Sequence, residues 1–99
     1  MLTYSLVARV AGAPAKANAW AHEVAELVKK KTGVTVNVSA RLGGPQEIIW
    51  VSQYDDFPAF EKSQATIGAD ADYARMVQDA TDKHLFDIAS IDTAFWMPI

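Results

Sequence analysis

The sequence predicts an α+β fold of the ferredoxin-like kind: the order is βαββαβ, with a four-stranded antiparallel sheet carrying its helices on one side. Three observations predict it. An amphipathic segment with apolar residues three and four apart lies between two segments of period two. A Gly43-Gly44-Pro45 turn joins the second and third alternating segments. A broken second helical region then precedes a last alternating segment.

From Leu2 to Val10, residues Leu2, Tyr4, Leu6, Ala8 and Val10 share one strand face, and Thr3, Ser5, Val7 and Arg9 the other. Ala11-Gly12-Ala13-Pro14 ends the strand, and a proline in the first helical turn loses no needed hydrogen bond. In the helix that follows, Ala17, Trp20, Ala21, Val24, Leu27 and Val28 form an apolar stripe opposite His22, Glu23, Glu26, Lys29 and Lys30. It ends at Thr32-Gly33, where glycine takes a left-handed cap, and Lys29-Lys30-Lys31 offset the helix dipole.

Val34 to Leu42 alternates Val34, Val36, Val38, Ala40 and Leu42 with Thr35, Asn37, Ser39 and Arg41, so one face packs on helices and the other is polar. Gln46 to Tyr54 is apolar on both sides through its middle, which predicts a central strand. Trp50 and Tyr54 are expected on the bare side of the sheet, and Ile49 and Val51 against the helices. Asp55 or Asp56 caps a helix through Phe57, Phe60, Ala65 and Ile67. Gly68 interrupts it, and Asp70 or Asp72 caps a second segment with Tyr73, Met76, Val77 and Ala80 on one face. Phe86 to Met97 is the last strand. Unbroken alternation there puts Phe86, Ile88, Ser90, Asp92, Ala94 and Trp96 together.

A chain of 99 residues is read as a single domain spanning 1–99, with 51% hydrophobic residues available for its core. The net charge of -3 excludes a basic surface for nucleic acid. With no cysteine there is no disulfide, thiolate metal site or cysteine nucleophile. The opening residues read as a strand rather than a signal peptide, and no apolar run reaches membrane-spanning length, so the expected location is cytoplasmic. Large apolar side chains on the bare sheet face need a cover, and a second copy of the same sheet supplies one, giving a homodimer.

The stretch Glu47-Ile48-Ile49-Trp50-Val51-Ser52-Gln53-Tyr54-Asp55-Asp56-Phe57-Pro58-Ala59-Phe60, with Asp70-Ala71-Asp72-Tyr73, resembles the dimeric α+β-barrel superfamily. More narrowly, it is similar to its antibiotic-biosynthesis-monooxygenase-like and NIPSNAP-like families. The resemblance covers about half the chain. It rests on an aromatic residue ending the third strand, an acidic cap, an aromatic in the first helical turn, and a second short helix opening on an acidic residue and an aromatic. It implies two sheets packed face to face as a dimeric α+β barrel, with a ligand cavity between each sheet and its helices. Members include cofactor-independent oxygenases, haem-degrading enzymes and isomerases, so fold alone does not set activity. Where haem-degrading members carry an asparagine, a tryptophan and a ligating histidine, this chain has Ala8, Ile67 and Val77. Quinone-forming oxygenases use a tryptophan near the end of the third strand, where this chain has Tyr54, with Trp50 two pleats earlier.

Asn37, Arg41, Ser52, Tyr54 and Asp92, with Ser39, are the polar strand residues that an apolar pocket would use, and Trp50 is its aromatic wall. For Asn37, Ser39 and Arg41 a solvated or dimer-interface role competes with the ligand site. Asp92 is equally a partner for Arg9 across neighbouring strands. His84, after a helix end, is either a residue at the cavity mouth or a helix-terminal cation. Neither His84 nor His22 has metal-ligand spacing, and no phosphate-binding loop occurs, so no cofactor or metal is expected. The functional expectation is a protein that binds a small, apolar or aromatic metabolite. The alternative is a cofactor-independent monooxygenase whose phenol- or quinol-like substrate is held as an anion by Tyr54, Arg41 or Asn37.

Overall fold

The computed structural model describes residues 1–99. Its order is β1 Leu2–Val10, α1 Pro14–Thr32, β2 Val36–Ala40, β3 Glu47–Tyr54, α2 Phe57–Gly68, α3 Ala71–Asp82 and β4 Phe86–Trp96. The four strands form one sheet in the order β2-β3-β1-β4, and every neighbouring pair is antiparallel. This is the ferredoxin-like arrangement the periodicity predicts. No helix is long and apolar enough to cross a membrane.

Helix boundaries follow local chemistry. Gly33 closes α1 in the left-handed region at φ 78°, and its N–H donates to the Lys29 carbonyl at 2.8 Å. Of the two acidic pairs, Asp56 caps α2 by accepting from the Ala59 N–H at 2.9 Å, and Asp70 caps α3 by accepting from the Tyr73 N–H at 2.9 Å. The second strand is shorter than its alternation because the Val34 N–H turns to the Thr32 hydroxyl instead of a sheet partner.

The sheet register overturns one expectation. Val36, Val38 and Ala40 pair with Ser52, Trp50 and Ile48, while Tyr4, Leu6 and Ala8 pair with Ser52, Trp50 and Ile48 from the other side. Trp50 and Tyr54 therefore face the helices, and Ile49 and Val51 face away. A tight turn centred on Gly43-Gly44 would have set Ile49 opposite Val38. The chain instead spends Leu42 to Gln46 in the loop, with the Arg41 N–H donating to the Glu47 carbonyl at 2.9 Å. One residue of slip exchanges the two faces of a strand.

The last strand departs from strict alternation for a related reason. Val7 pairs with Asp92, but Arg9 pairs with Asp87, so β4 bulges between them. In the bulge the Ser90 hydroxyl accepts from the Arg9 N–H at 2.8 Å and donates to the Asp87 carbonyl at 2.6 Å. As a result Phe86, opposite Val10, faces the helices, while Trp96, opposite Thr3, lies on the outer face. Asp92 stands opposite Val7 rather than Arg9.

Helix α1 lies against the sheet through its smallest side chains. Ala17 and Ala21 are fully buried on Ile48, with Val10, Val38, Trp50 and Phe86 around them. Burying an isoleucine of this kind contributes roughly 1.5–3 kcal/mol, and alanines on the facing helix allow the close approach. Gly12 lets the β1–α1 turn lie against the α3–β4 turn, because a Cβ there would lie 2.9 Å from the His84 carbonyl oxygen.

Candidate functional site

Between the sheet and the helices lies a cavity of about 390 Å³, within the span of roughly 300–1,000 Å³ usual for small-molecule sites. Small side chains make the room: Ala8 from β1, Ser52 from β3, Ala25 from α1 and Ala80 from α3 all border it and are themselves buried. Ile88 and Ile91, turned inward around the β4 bulge, border it too. No charged side chain lines the cavity.

One end is aromatic hydrocarbon. Trp20, Trp50 and Phe86 pack edge to face or tilted, with ring centroids 5.4 to 6.2 Å apart. Both indoles are anchored by main-chain oxygens. Trp50 donates to the Ala21 carbonyl at 3.1 Å and Trp20 to the Met76 carbonyl at 2.9 Å. The second bond ties α1 to the middle of α3.

The other end carries phenols. Tyr4 of β1 stands opposite Ser52, Tyr54 lies one pleat further along the same face of β3, and Tyr73 enters from the first turn of α3. The Ser52 hydroxyl donates to the Tyr54 oxygen at 3.2 Å. The Tyr4 and Tyr73 hydroxyls have no protein partner. Burial, then the neighbouring Tyr73 and Tyr54 phenols, holds the Tyr4 hydroxyl above its usual pKa, and burial raises that of Tyr73. Tyr4 and Tyr73 therefore keep their protons at neutral pH as hydrogen-bond donors. Phe60 packs against both Tyr4 and Tyr54, at 4.9 and 5.2 Å between centroids, and fixes their rings.

An ion cluster fixes the start of α3, the helix that brings Tyr73. Lys31, in the last turn of α1, pairs with Asp70 at 3.2 Å and Asp72 at 3.0 Å, and Arg75 also pairs with Asp72. The Tyr73 N–H, and after it Lys31, holds the Asp70 carboxyl below its usual pKa. Lys31 first, then Arg75, does the same for Asp72, and the two carboxylates raise that of Lys31.

Of the residues picked out by sequence, Trp50, Ser52 and Tyr54 border the cavity together. The other four lie elsewhere. Asn37 points to the outer sheet face opposite Val51, and Asp92 is exposed on that face opposite Val7. Arg41 closes the β2–β3 loop by pairing with Glu47 at 2.7 Å. His84 is exposed at φ 51°, just past α3, where its N–H donates to the Thr81 carbonyl at 3.1 Å; it terminates the helix rather than entering the cavity. Tyr4, Trp20 and Tyr73 were not anticipated as site residues. Their signal was present: each puts a polar tip on an otherwise apolar face, and such a tip needs either a partner or a wet space.

No protein-family model and no curated protein sequence matches the chain. Solved structures do. A NIPSNAP family protein from Agrobacterium tumefaciens aligns over 99% of this chain and 92% of its own, with TM-score 0.81 and 12% identity. A second NIPSNAP family protein of that organism, of unknown function, aligns over 99% of this chain and 87% of its own, with TM-score 0.79 and 18% identity. SnoaB, a cofactor-independent oxygenase from Streptomyces nogalater, aligns over 99% of this chain and 92% of its own, with TM-score 0.73 and 13% identity. At these identities the likeness is one of fold: the chain has the ferredoxin-like α+β fold shared by these NIPSNAP family proteins and by SnoaB.

Proposed function

We propose that the protein binds a small, uncharged aromatic metabolite in the cavity between sheet and helices. The observation that carries this reading is the lining itself, which has aromatic walls at both ends, hydroxyl donors at one of them, and no charged side chain. An ionised ligand would lose its hydration there without gaining a counter-charge. Naphthol is expected to raise the melting temperature with its concentration, and naphthoate to leave it unchanged. Equal shifts from both, or a shift from naphthoate alone, would overturn the reading.

SnoaB, as a fold neighbour, raises a second reading, a cofactor-independent monooxygenase acting on a phenol or quinol. Such chemistry starts from a substrate anion. The cavity lining offers no carboxylate, imidazole or amine to take the proton, and Tyr4 and Tyr73 hold theirs. Binding is therefore the better supported reading. Oxygen uptake with catechol, hydroquinone or naphthol would reverse that order.

The same proposal places a second copy of the chain on the outer sheet face. Val7, Ile49, Val51, Ala94 and Trp96 lie there among Thr3, Ser5, Asn37, Ser39 and Gln53, with Arg9, Glu47, Asp87 and Asp92 at one end of the face, and Trp96 is 61% exposed. A matching face offers apolar cover and polar partners.

A further inference from the structure

The cavity has one exposed side. Of the side chains that line it, the exposed ones are Gln64 of α2, Val77 and Thr81 of α3, and Ile88 and Ile91 of β4, so its mouth lies between the α2–α3 layer and the last strand. Ile88 is 65% exposed, Ile91 44% and Val77 40%, three branched apolar side chains at the rim. The bulge builds the β4 side of this mouth. Val7 stands opposite Asp92 and Arg9 opposite Asp87, so Ile88 to Ile91 span the place of one β1 residue, Ala8, and depart from the ladder as an arch. Side chains hold the arch: the Ser90 hydroxyl accepts from the Arg9 N–H at 2.8 Å, and the Asp87 carboxylate accepts from the Ala89 N–H at 3.1 Å. Tied in this way, at the edge of the sheet, the arch opens locally at less cost than a laddered strand.

Resting on the binding function above, we infer that the Ile88–Ile91 arch is the gate of the cavity. Ile88 and Ile91 control entry and exit of the ligand, and Ser90 is the positioning residue that keeps the arch against the sheet. A bound ring system rests on the deeper walls, Trp20, Trp50 and Phe86, and meets the two isoleucines in passing. A gate acts on the barrier between the free and bound states and leaves both states as they are, so it changes association and dissociation by the same factor. A side chain that instead holds the bound ligand changes mainly the dissociation rate, and with it the affinity.

Stopped-flow mixing of the intact protein with naphthol, read by the fluorescence of the ligand, tests this. Ser90→Ala removes the tie to Arg9 and is expected to raise both rates by roughly threefold to tenfold, as for one lost hydrogen bond, with Kd unchanged within about twofold. Ile88→Phe enlarges an exposed side chain at the rim and is expected to slow both rates by a similar factor, again at constant Kd. This second variant keeps the test decisive if Ser90→Ala folds poorly. A change in Kd carried by the dissociation rate alone would make these residues part of the ligand's resting contacts and overturn the gate. Unchanged rates in Ser90→Ala alone would overturn the role of Ser90. Unchanged rates in both variants would put the entrance elsewhere, overturning the gate and leaving the binding function standing. Absence of naphthol binding to the wild type would overturn the binding function and the gate with it.

Discussion

The Trp50 indole donates to the Ala21 carbonyl of α1 at 3.1 Å, so the largest side chain of the central strand is fastened to the helix layer, not to a partner sheet. Trp50→Ala removes that bond and the ring packing with Trp20 and Phe86. The expected cost is about 3–5 kcal/mol in urea unfolding, the usual range for deleting a large aromatic from a core. The loss should be the same at low and high protein concentration. A loss that appears only as dissociation would place Trp50 at an interface instead.

Trp96 is the tryptophan of the opposite face, its indole donating to the Ser5 hydroxyl at 2.9 Å. Trp96→Ala is expected to weaken self-association, seen by sedimentation as a shift of the dimer transition by about tenfold or more in concentration, with little change in the unfolding of the monomer. A wild-type protein that sediments as a monomer at micromolar concentration would rule out the paired sheets.

His84 occupies the left-handed region at φ 51°, a conformation that costs an L-residue energy and glycine little. His84→Gly is expected to stabilise the fold by about 0.5–1 kcal/mol, and His84→Val to destabilise it by at least as much. Binding of naphthol should be the same in both, because the side chain lies outside the cavity. Lost binding in folded His84→Gly would return this residue to the site.

The Lys31, Asp70 and Asp72 cluster makes stability depend on pH at both extremes. Because the folded protein lowers both carboxyl pKa values, their contribution is complete above the usual carboxylate value of about 4 and is lost as pH falls through the depressed values. Lys31 is raised, so its contribution is complete below about pH 10 and is lost as pH rises through the higher folded value. Lys31→Met should flatten both limbs of a melting-temperature profile. An acid limb of unchanged slope would show that other carboxyls govern it.

Much of the fold was legible because it rests on local signals. The stripe from Ala17 to Val28, the glycine after Thr32 and the acidic residues before Phe57 and Ala71 each carry their physics within a few positions. Which side of β3 the helices cover was not legible in the same way. Ile48, Trp50, Ser52 and Tyr54 alternate with Ile49 and Val51, both sets are largely apolar, and the choice depends on how many residues the Arg41–Glu47 loop holds. In β1 and β2 one face is distinctly more polar, and there the sides were readable. The site shows the same divide. Trp50, Ser52 and Tyr54 group together because they share a strand face, although that face reads in the sequence as the bare one. Tyr4 and Tyr73 join them only through strand pairing and the placing of α3, which no short spacing records. Asn37, Arg41 and Asp92 lie outside this cavity, and in the sequence a polar strand residue looks alike whether it lines a cavity, closes a loop or faces solvent.

The three tryptophans divide into two that line the cavity, Trp20 and Trp50, and one on the other side of the sheet, Trp96. Each indole N–H has its own hydrogen-bond partner, so each should give a distinct resonance in a nitrogen–proton correlation spectrum. Titration with naphthol is expected to move the Trp20 and Trp50 indole signals along a common saturation curve while Trp96 stays in place. Movement of Trp96 alone, or of none of the three, would contradict a ligand seated between the sheet and the helices.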